Sequence, residues 1–449
     1  MLAHNAVLEQ NEYRLVLVRF GSQAIWVKRA DGALRLPRVT IPRWTRPAEQ
    51  LQLVIEAGWH LRTIILDVLP SKIDSAPCAV VEIMSSEAPN GLAAAKIDEI
   101  AAEEMTGEER EAIKAILAGN MSTRAPFSRI GWIQEAMKWV GAEIGHAIQF
   151  TADIHQYNAG AGFALVRFAA ETGPAYWLKA TGEPNVHEFH ITRKLAKLCP
   201  EYLPRHIAAR EDWNAWVMED AGLALDTWTL PALERAVVSM AMVQKETIGQ
   251  TWGFLAAGAS DQRICVLRAH LTEVVEYLDD AMTRQTSTKV PRIEKRRLWR
   301  MASILQDACF HMEALGIPDT LVHNDINSGN ILFNGPHCVF TDWCEVGVGN
   351  PFLAFHYLCL LQPRCEENWM TKLQDAYGRC WSDSLSTVQI ELAFALTPLL
   401  AVLCYLYGRG TWLRSSERND PHVESHARSL ARHMDRATQD SRLLEALCH

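Results

Sequence analysis

The 449-residue sequence has no excess of positive charge, no cysteine pair in C-x-x-C spacing and no repeated or low-complexity segment. Its 53 acidic and 44 basic residues give a formal net charge of −9. A general binder of nucleic acid or anionic membranes needs surplus Lys and Arg, so we expect neither partner. Eleven cysteines scattered over the chain favour reduced, mostly buried thiols over a disulfide framework. Small molecules or other proteins are the expected partners.

The first residues contain neither a basic stretch nor an apolar one, so no export signal is expected. The one long apolar run, 392–407, is short for a bilayer span and is interrupted by Thr397 and Pro398. We therefore expect a buried helix there. Together with the scattered cysteines, these features predict a cytoplasmic protein.

In the first third of the chain, changes in the spacing of apolar residues predict a series of strands and helices. Apolar runs separated by turns predict strands over 13–85, and helical spacing of apolar residues predicts a helix over 47–57 between them. Two helical stretches are expected over 91–118, ending at Gly119, and a further helix over 130–140. At about 150 residues per domain, the whole chain is long enough for two or three domains.

The remainder divides into a strand-rich region from about 148 to 220 and an almost wholly helical region after it. The exception is 320–342. There the run 321–333 contains His-x-Asp with an Asn five residues after the Asp. An Asn-Gly pair at 334–335, flanked by apolar runs, predicts a hairpin that folds Asp342 back beside the loop.

Three oxygen-bearing side chains, Asp325, Asn330 and Asp342, are thus expected to converge. Phosphoryl transfer from a nucleotide requires such a set: a carboxylate for the attacking hydroxyl, and hard oxygen ligands that hold Mg²⁺ against the phosphates. In that interpretation Asp325 is the catalytic base or orienting group, and Asn330 and Asp342 bind the metal. The alternative is that these side chains only cap turns.

This segment resembles the catalytic loop and metal-binding Asp of the aminoglycoside phosphotransferase and choline kinase-like family, which shares the protein-kinase fold. Asp342-Trp343-Cys344 matches the altered tripeptide of that family, and 349–353, Gly-Asn-Pro-Phe-Leu, resembles its Gly-x-Pro stretch. Where the family commonly has an Asp that supports the catalytic loop, this sequence has Ala354. The resemblance implies an α+β, two-lobed fold, with a small lobe built on an antiparallel sheet and a helical large lobe, and Mg²⁺-ATP between them.

A kinase-like site also requires a strand Lys for the nucleotide phosphates and a helix Glu that holds this Lys. A hairpin predicted over 163–179 ends in Lys179, and a helix predicted over 186–195 carries Glu188. These two residues are the candidates for the ion pair. Glu183 is a competitor, but it precedes a proline and is expected in the connecting loop.

Two further segments are candidates for nucleotide contacts. Gly160 and Gly162 precede a strand and could let backbone N–H groups approach phosphate, although such a pair is more often only a turn. The segment 215–222, which includes Glu219, resembles the hinge between kinase lobes, where backbone groups meet the adenine.

The amino-terminal region resembles the Nudix fold in its strands, in its helix from Ala48 and in Glu56-Ala57-Gly58. The positions that match the metal-binding signature of that fold are Leu51, Gln52, Ile55 and Glu56. One carboxylate cannot both hold a hard divalent ion and supply a base. The sequence therefore predicts a degenerate Nudix-like domain over 1–120, a linker helix over 121–145, a small lobe over 146–220 and a large lobe over 221–449.

The expected function is ATP-dependent transfer of the γ-phosphoryl group to a hydroxyl of a small molecule, which is aminoglycoside-, amino-alcohol-, sugar- or nucleoside-like. The alternative is a nucleotide-binding pseudokinase that acts as a scaffold or regulator, which Ala354 and the degenerate first domain favour. Against it, all five candidate positions keep competent side chains. The basic run 292–300 is expected to be the solvated face of a helix rather than a contact for an anionic substrate. The acceptor and the oligomeric state stay open.

Overall fold

The computed structural model describes residues 10–43, 45–69, 76–119, 126–145, 154–160, 162–169, 174–361, 368–408 and 419–448. Clustering of contacts divides the chain into two compact units. The first comprises 1–189 with 205–220, and the second 190–204 with 221–449. Segments predicted as separate, 1–120 and 146–220, thus lie in one compact unit, and the finer division stays a prediction.

Within the described ranges, the first unit contains a seven-stranded mixed sheet. Its strands are β1 (Gln10–Val18), β2 (Ile25–Ala30), β3 (Ala33–Arg35), β4 (Arg38–Pro42), β5 (Thr63–Leu69), β6 (Cys78–Ile83) and β7 (Ala93–Ala95). The order is β3-β2-β1-β6-β5, with β4 on β1 and β7 on β2. Only the β1–β6 pair is parallel. The last six residues of β1 are all buried, as expected for a central strand covered on both faces.

The same unit contains a five-stranded antiparallel sheet in the order β11-β12-β10-β9-β8. Its strands are β8 (Ile154–Asn158), β9 (Phe163–Phe168), β10 (Tyr176–Thr181), β11 (His206–Arg210) and β12 (Ala215–Glu219). The helices of this unit are α1 (Pro47–Trp59), α2 (Gly107–Leu117) and α3 (Trp132–Ile144). Helix α4 (His187–Leu198) begins in this unit, and its residues from His190 onward belong to the second unit.

One hydrophobic core joins the two sheets of the first unit. Buried side chains of β1, β2, β5 and β6 pack with those of α2, α3 and the five-stranded sheet, and Trp132 and Trp213 meet edge to face in this core. The other face of the seven-stranded sheet packs on α1 through Leu51 and Ile55. Two of the four positions that match the Nudix signature therefore have a packing role.

Gln156 of β8 is the polar link between the sheets. Its side-chain amide accepts from the Ile65 N–H (2.8 Å) and donates to the Ile65 carbonyl (2.7 Å), at the irregular step in the β5–β6 register. Gln52 of α1 accepts the Gln156 backbone N–H (3.1 Å) and donates to the Thr63 carbonyl (2.6 Å). Gln156 is 1% exposed, so these hydrogen bonds satisfy groups that would otherwise be buried without partners.

One secondary-structure prediction is wrong. The first of the two helical stretches expected over 91–118 is instead β7 followed by two short 3₁₀ turns. Pairing with β2 outweighs local helix propensity, because it completes the sheet. The helix begins only after Thr106, whose hydroxyl accepts the Glu109 N–H while the Glu109 carboxylate accepts the Thr106 N–H.

The second unit is mainly helical. Its helices are α5 (Leu230–Glu246), α6 (Thr251–Leu255), α7 (Ile264–Ala269), α8 (Leu271–Thr283), α9 (Lys295–Ala314), α10 (Pro351–Cys359), α11 (Trp369–Trp381), α12 (Thr387–Gly408), α13 (Pro421–Ala437) and α14 (Ser441–Ala446). Its strands are β13 (Leu223–Ala224), β14 (Ser260–Gln262), β15 (Thr320–Val322), β16 (Ile331–Asn334), β17 (His337–Phe340) and β18 (Gly347–Gly349). They form the sheets β13-β16-β17 and β14-β18-β15. Three of these strands, β13, β14 and β18, were not expected.

The apolar run at 392–407 lies in α12. By length and hydropathy this is the one helix among the described residues that could cross a membrane, and half of its most apolar window is buried inside the protein. It packs against α9, α10 and α13. The Thr397 hydroxyl donates to the Ala393 carbonyl one turn before Pro398.

The ten cysteines within the described residues are free thiols, and six of them are buried. Burial raises the pKa of Cys78, Cys309 and Cys404 to about 12. These thiols stay protonated at neutral pH and pack as small apolar groups. The eleventh cysteine, Cys365, lies outside the described residues.

Replacing Glu109 should destabilise the first unit in a pH-dependent way. Burial by itself raises the Glu109 pKa, but hydrogen bonds from Arg14 and Thr106 and the charge of Arg14 lower it below its ordinary value. Both Arg14 and Glu109 side chains are 5% exposed. We expect Glu109→Gln to cost about 3 kcal/mol at pH 7, because a buried guanidinium loses its partner. A depressed acid pKa stabilises above the unfolded pKa, so the difference should vanish as pH falls through the folded value.

Denaturant unfolding of both proteins from pH 7 to pH 3 measures this effect. Glu111→Gln on the same helix is the control, because its carboxylate is 75% exposed and should contribute little. The difference in free energy of unfolding between wild type and Glu109→Gln should shrink in acid. A difference that stays constant would contradict the role assigned to the Arg14–Glu109 ion pair.

Candidate active site

Lys179 and Glu188 form a buried ion pair in the first unit. The Lys179 Nζ lies 2.6 Å from a Glu188 carboxylate oxygen, and the two side chains are 8% and 2% exposed. Lys179 is in β10 between Leu165 of β9 and Trp216 of β12, and its ammonium lies 5.9 Å from the Trp216 ring centroid. Glu188 is in the first turn of α4, where the helix dipole favours a negative charge.

Asn214 holds the strand and the helix of this pair in position. Its side-chain nitrogen donates to the Thr181 hydroxyl (2.6 Å), to the Thr181 carbonyl (3.2 Å) and to the Val186 carbonyl just before α4. Asn214 adopts the left-handed conformation, with φ 49°. The sequence indicates only that an Asn stands at a turn between Trp213 and Ala215. It does not predict which distant carbonyls accept hydrogen bonds from this side chain.

The other candidate residues of the first unit are placed as follows. Gly160 has φ 136°, and the Gly162 carbonyl accepts the Gly182 N–H at 2.8 Å. Ala161 between the two glycines lies outside the described residues. The Glu219 carboxylate is ion-paired with Arg205, whose hydrogen bond lowers the Glu219 pKa, and its N–H donates to the Arg205 carbonyl. A nucleotide role for these three residues stays a prediction.

Asp325 and Asn330 are hydrogen-bonded to each other in the second unit. The Asn330 amide nitrogen donates to an Asp325 carboxylate oxygen (3.0 Å) and to the Asp325 carbonyl (2.9 Å). Because the nitrogen is committed to Asp325, the amide oxygen of Asn330 is the atom that can bind a cation. Both residues are half-buried on the loop after β15.

The predicted hairpin is present and brings Asp342 to the same loop. Strands β16 and β17 pair from Ile331↔Phe340 to Asn334↔His337, and the Thr341 N–H donates to the Asn330 carbonyl at 3.0 Å. Asp342 follows with φ 64°, a left-handed conformation that is uncommon outside glycine and costs about 1–3 kcal/mol. Such strain is maintained only where the surrounding structure fixes the backbone.

His323 supports the loop from within. Its Nε2 is 2.9 Å from the Thr341 carbonyl, which can only accept, so the proton is on Nε2. The ring is 1% exposed and packs on Trp343 at a centroid distance of 4.5 Å. This geometry ties both ends of the loop together and gives His323 a structural role.

Gln262 is a supporting residue that the sequence analysis missed. Its side chain is fully buried, accepts a hydrogen bond from the Asn324 amide (3.1 Å) and donates to the Ser260 hydroxyl (2.8 Å). Asn324 also donates to the Glu345 carbonyl at 2.7 Å. The residue directly before Asp325 is thereby fixed to β14 and to the turn before β18.

Space for Gln262 depends on two glycines. A Cβ at Gly347 or Gly408 would clash with the Gln262 side chain. Ala354 occupies a fully buried position in α10 and has no polar group to offer. Gln262, on a different element, supplies the polar support for the residue before Asp325.

The donor set around the loop suits a hard divalent cation. Asp325, Asn330 and Asp342 offer carboxylate and amide oxygens, which are the ligands that Mg²⁺ prefers. They are presented by a loop and a hairpin end whose backbones are hydrogen-bonded to each other. The residues present therefore fit a magnesium site.

No protein-family model and no curated protein sequence matches the chain. Solved structures with some likeness include a macrolide 2'-phosphotransferase from Brachybacterium faecium, with 15% identity, a TM-score of 0.44, and coverage of 65% of this chain and 97% of that chain. A choline/ethanolamine kinase family protein from Mesorhizobium loti has 15% identity and a TM-score of 0.44, covering 70% and 98%. Choline kinase from Cryptosporidium parvum has 12% identity and a TM-score of 0.45, covering 68% and 95%. These values are too low to assign a family, so the function is inferred from the chain's own residues.

Removing one partner of the Lys179–Glu188 pair should cost far more stability than removing both. Lys179→Met leaves a carboxylate buried without its cation, which we expect to cost about 3–5 kcal/mol. The double variant Lys179→Met/Glu188→Leu should recover most of this loss, because apolar side chains can fill the space. Denaturant unfolding at neutral pH measures both. Lys114→Met, in a pair whose side chains are 38% and 70% exposed, is the control. A double variant as unstable as the single one would contradict the prediction.

Gln262→Leu should loosen the loop that carries Asp325. The change removes the acceptor of Asn324 and leaves a buried amide with one partner fewer, at a cost of about 1–3 kcal/mol. Amide hydrogen exchange over 323–330 should accelerate by more than the global loss of stability explains.

The matched control is Gln244→Leu. Gln244 is equally buried, but its partners are the Pro351 carbonyl and the Tyr377 hydroxyl. It should lose comparable stability without selective exchange over 323–330. Equal exchange of the loop in both variants would mean that Gln262 does not position it.

Proposed function

We propose that this protein transfers the γ-phosphoryl group of ATP to a hydroxyl of a small molecule, with Mg²⁺ as cofactor. The observation that carries the proposal is the hydrogen-bonded Asp325–Asn330 pair on a loop whose neighbouring residues, His323 and Asn324, are both tied down. A carboxylate that only capped a turn would not need a loop held by so many hydrogen bonds.

Asp325 is the proposed base. Its carboxylate accepts the hydroxyl proton as the bond from the hydroxyl oxygen to the γ-phosphorus forms and the bond to the bridging oxygen breaks, which releases ADP. The hydrogen bond from the Asn330 amide to one carboxylate oxygen restricts the rotamer of the Asp325 side chain. Positioning and electrostatics supply most of the rate in this chemistry.

Asn330 and Asp342 are the proposed metal ligands. Magnesium, when bound, neutralises charge on the nucleotide phosphates. Asn330 contributes its amide oxygen, because its nitrogen is committed to Asp325. The left-handed backbone of Asp342 sets the direction of its carboxylate.

Lys179 is the proposed phosphate contact of the first unit. Glu188 neutralises its charge in a buried setting and restricts the long side chain to few rotamers. A fixed ammonium loses less entropy on binding phosphate than an exposed lysine does. Nucleotide affinity tests the role of Lys179, and phosphoryl transfer tests the role of Asp325 separately.

The charge of the whole chain sets a local requirement. A net charge of −9 repels a nucleotide with several negative charges, so Lys179 and magnesium must supply the positive potential. The acceptor is proposed only as a class: an aminoglycoside-, amino-alcohol-, sugar- or nucleoside-like hydroxyl compound. A cytoplasmic location and a degenerate Nudix-like character of the first residues stay predictions.

Asp325→Asn should abolish transfer while it preserves nucleotide binding. The amide keeps the size of the side chain and the bond to Asn330 but cannot accept a proton, so we expect the turnover number to fall by about 100-fold or more. ADP release is measured against a panel of aminoglycosides, macrolides, choline, ethanolamine, sugars and nucleosides. Affinity for ATP with Mg²⁺ should change little.

Asp307→Asn, an exposed change on α9, is the matched control and should leave turnover unchanged. Unchanged transfer by Asp325→Asn would overturn the assigned role. An ATP-induced thermal shift that is indifferent to Mg²⁺, without transfer to any compound in the panel, would instead favour the pseudokinase alternative.

A further inference from the structure

The second unit contains an arginine-lined groove that the proposed reaction does not use. It has a volume of about 630 Å³ and lies between the loop before α9, the first turns of α9 and the last turns of α13. Its arginines are Arg292, Arg296, Arg297, Arg300, Arg432 and Arg436. We refer to these six residues as the arginine groove.

The charge of the arginine groove is opposite to that of the chain. Six guanidinium groups face two carboxylates, Glu294 and Asp435, so the groove carries four net positive charges on a protein with a net charge of −9. One of the six, Arg297, is neutralised by Asp435 through two hydrogen bonds of 2.5 and 2.8 Å. None of the other five arginines forms an ion pair with a carboxylate of the described residues.

Three of these arginines are exposed and available. Arg296, Arg300 and Arg436 have neither a hydrogen bond nor an ion pair to any described residue through their side chains. On a solvated helix face the charged side chains point separately into solvent. Here two helices and a loop direct them at one concave volume.

A buried glutamine organises the base of the groove. Gln285 is 5% exposed, and its carbonyl accepts from Arg292 while its side-chain oxygen accepts from Arg432 at 2.7 Å. The Gln285 amide donates to the Ser287 and Val290 carbonyls and so folds the loop beneath the arginines. Two guanidinium groups are thus held in place before any ligand binds, which lowers the entropic cost of binding.

The arrangement is costly without an anion. Arg432 keeps a buried Nε with no hydrogen-bond partner among the described residues, and burial together with the neighbouring Arg428 lowers its pKa. The first turn of α9 contains Lys295, Arg296 and Arg297 and no acidic residue, although the helix dipole disfavours cations there. Local conflicts of this kind are expected at functional sites.

We propose that the arginine groove is a binding site for a small polyphosphorylated anion. Guanidinium forks match phosphate oxygens in pairs, and a groove of this volume with four net charges suits a ligand with several phosphate groups close together. A long polyanion is disfavoured because it would extend over the acidic surface outside the groove. This site is separate from the proposed phosphotransfer reaction and does not depend on it.

Calorimetric titration of the full-length protein with inorganic tripolyphosphate tests the proposal. Wild type should bind, with an affinity that falls as salt is raised. Arg296→Glu/Arg300→Glu should weaken binding by about tenfold or more, because two attractive charges become repulsive. Circular dichroism and thermal melting check folding, and the neutral pair Arg296→Gln/Arg300→Gln replaces the reversal if the latter does not fold.

The matched control is Arg29→Glu/Arg35→Glu, on exposed positions of β2 and β3, with the same change of net charge. It should lower the affinity far less. The proposal is overturned if wild type does not bind tripolyphosphate, if both double variants weaken binding equally, or if binding survives the groove variants and is lost in Lys179→Met. Tighter binding of a single-stranded oligonucleotide than of tripolyphosphate would overturn the small-ligand class.

Discussion

The fixation of the loop between β15 and β16 is the constraint on which the candidate site depends. This loop has little regular structure, so its polar groups must be satisfied from elsewhere. Two distant segments contribute, the residue after β17 through His323 and β14 through Asn324, and the loop itself contributes the bond between Asn330 and Asp325. A carboxylate on such a loop has a defined direction, which phosphoryl transfer needs more than it needs any special reactivity.

The first unit fixes its charged pair in a different way. Lys179 and Glu188 belong to regular elements, a central strand and a helix start, and their geometry follows from the positions of these elements. The connection between them has no regular structure, and Asn214 donates hydrogen bonds to a carbonyl at each of its ends. In each unit a neutral amide side chain, Gln262 or Asn214, positions the charged groups.

The amino-terminal region shares a hydrophobic core with the five-stranded sheet of the first unit. Hydrogen bonds of Gln156 and Gln52 join the two segments. The separate domain over 1–120 stays a prediction. Leu51 and Ile55 pack in a buried core, and Gln52 donates a hydrogen bond to the Thr63 carbonyl. The region thus has a structural role whatever else it does.

The sequence by itself determined the features that depend on neighbouring residues. Short apolar runs separated by turns predicted β1, β2, β5 and β6, and Asn-Gly predicted the hairpin that leads to Asp342, because apolar runs and turn geometry are local properties. The spacing of Asp325 and Asn330 on one short loop predicted that they would be close, and they share a hydrogen bond.

Only the tertiary structure decided the features that depend on distant partners. Strand β7 forms because β2 offers an edge, and β14 and β18 have three residues each, too few for a periodic signal. Gln262 has no sequence motif, because its partner Asn324 lies 62 residues away. The basic run 292–300 is visible in the sequence, but its convergence with Arg432 and Arg436 arises only when the helices pack. Features that depend on neighbouring residues can be predicted from the sequence. The burial of a side chain, and the meeting of side chains at one site, arise from contacts between segments distant in sequence, so only the packed chain decides them.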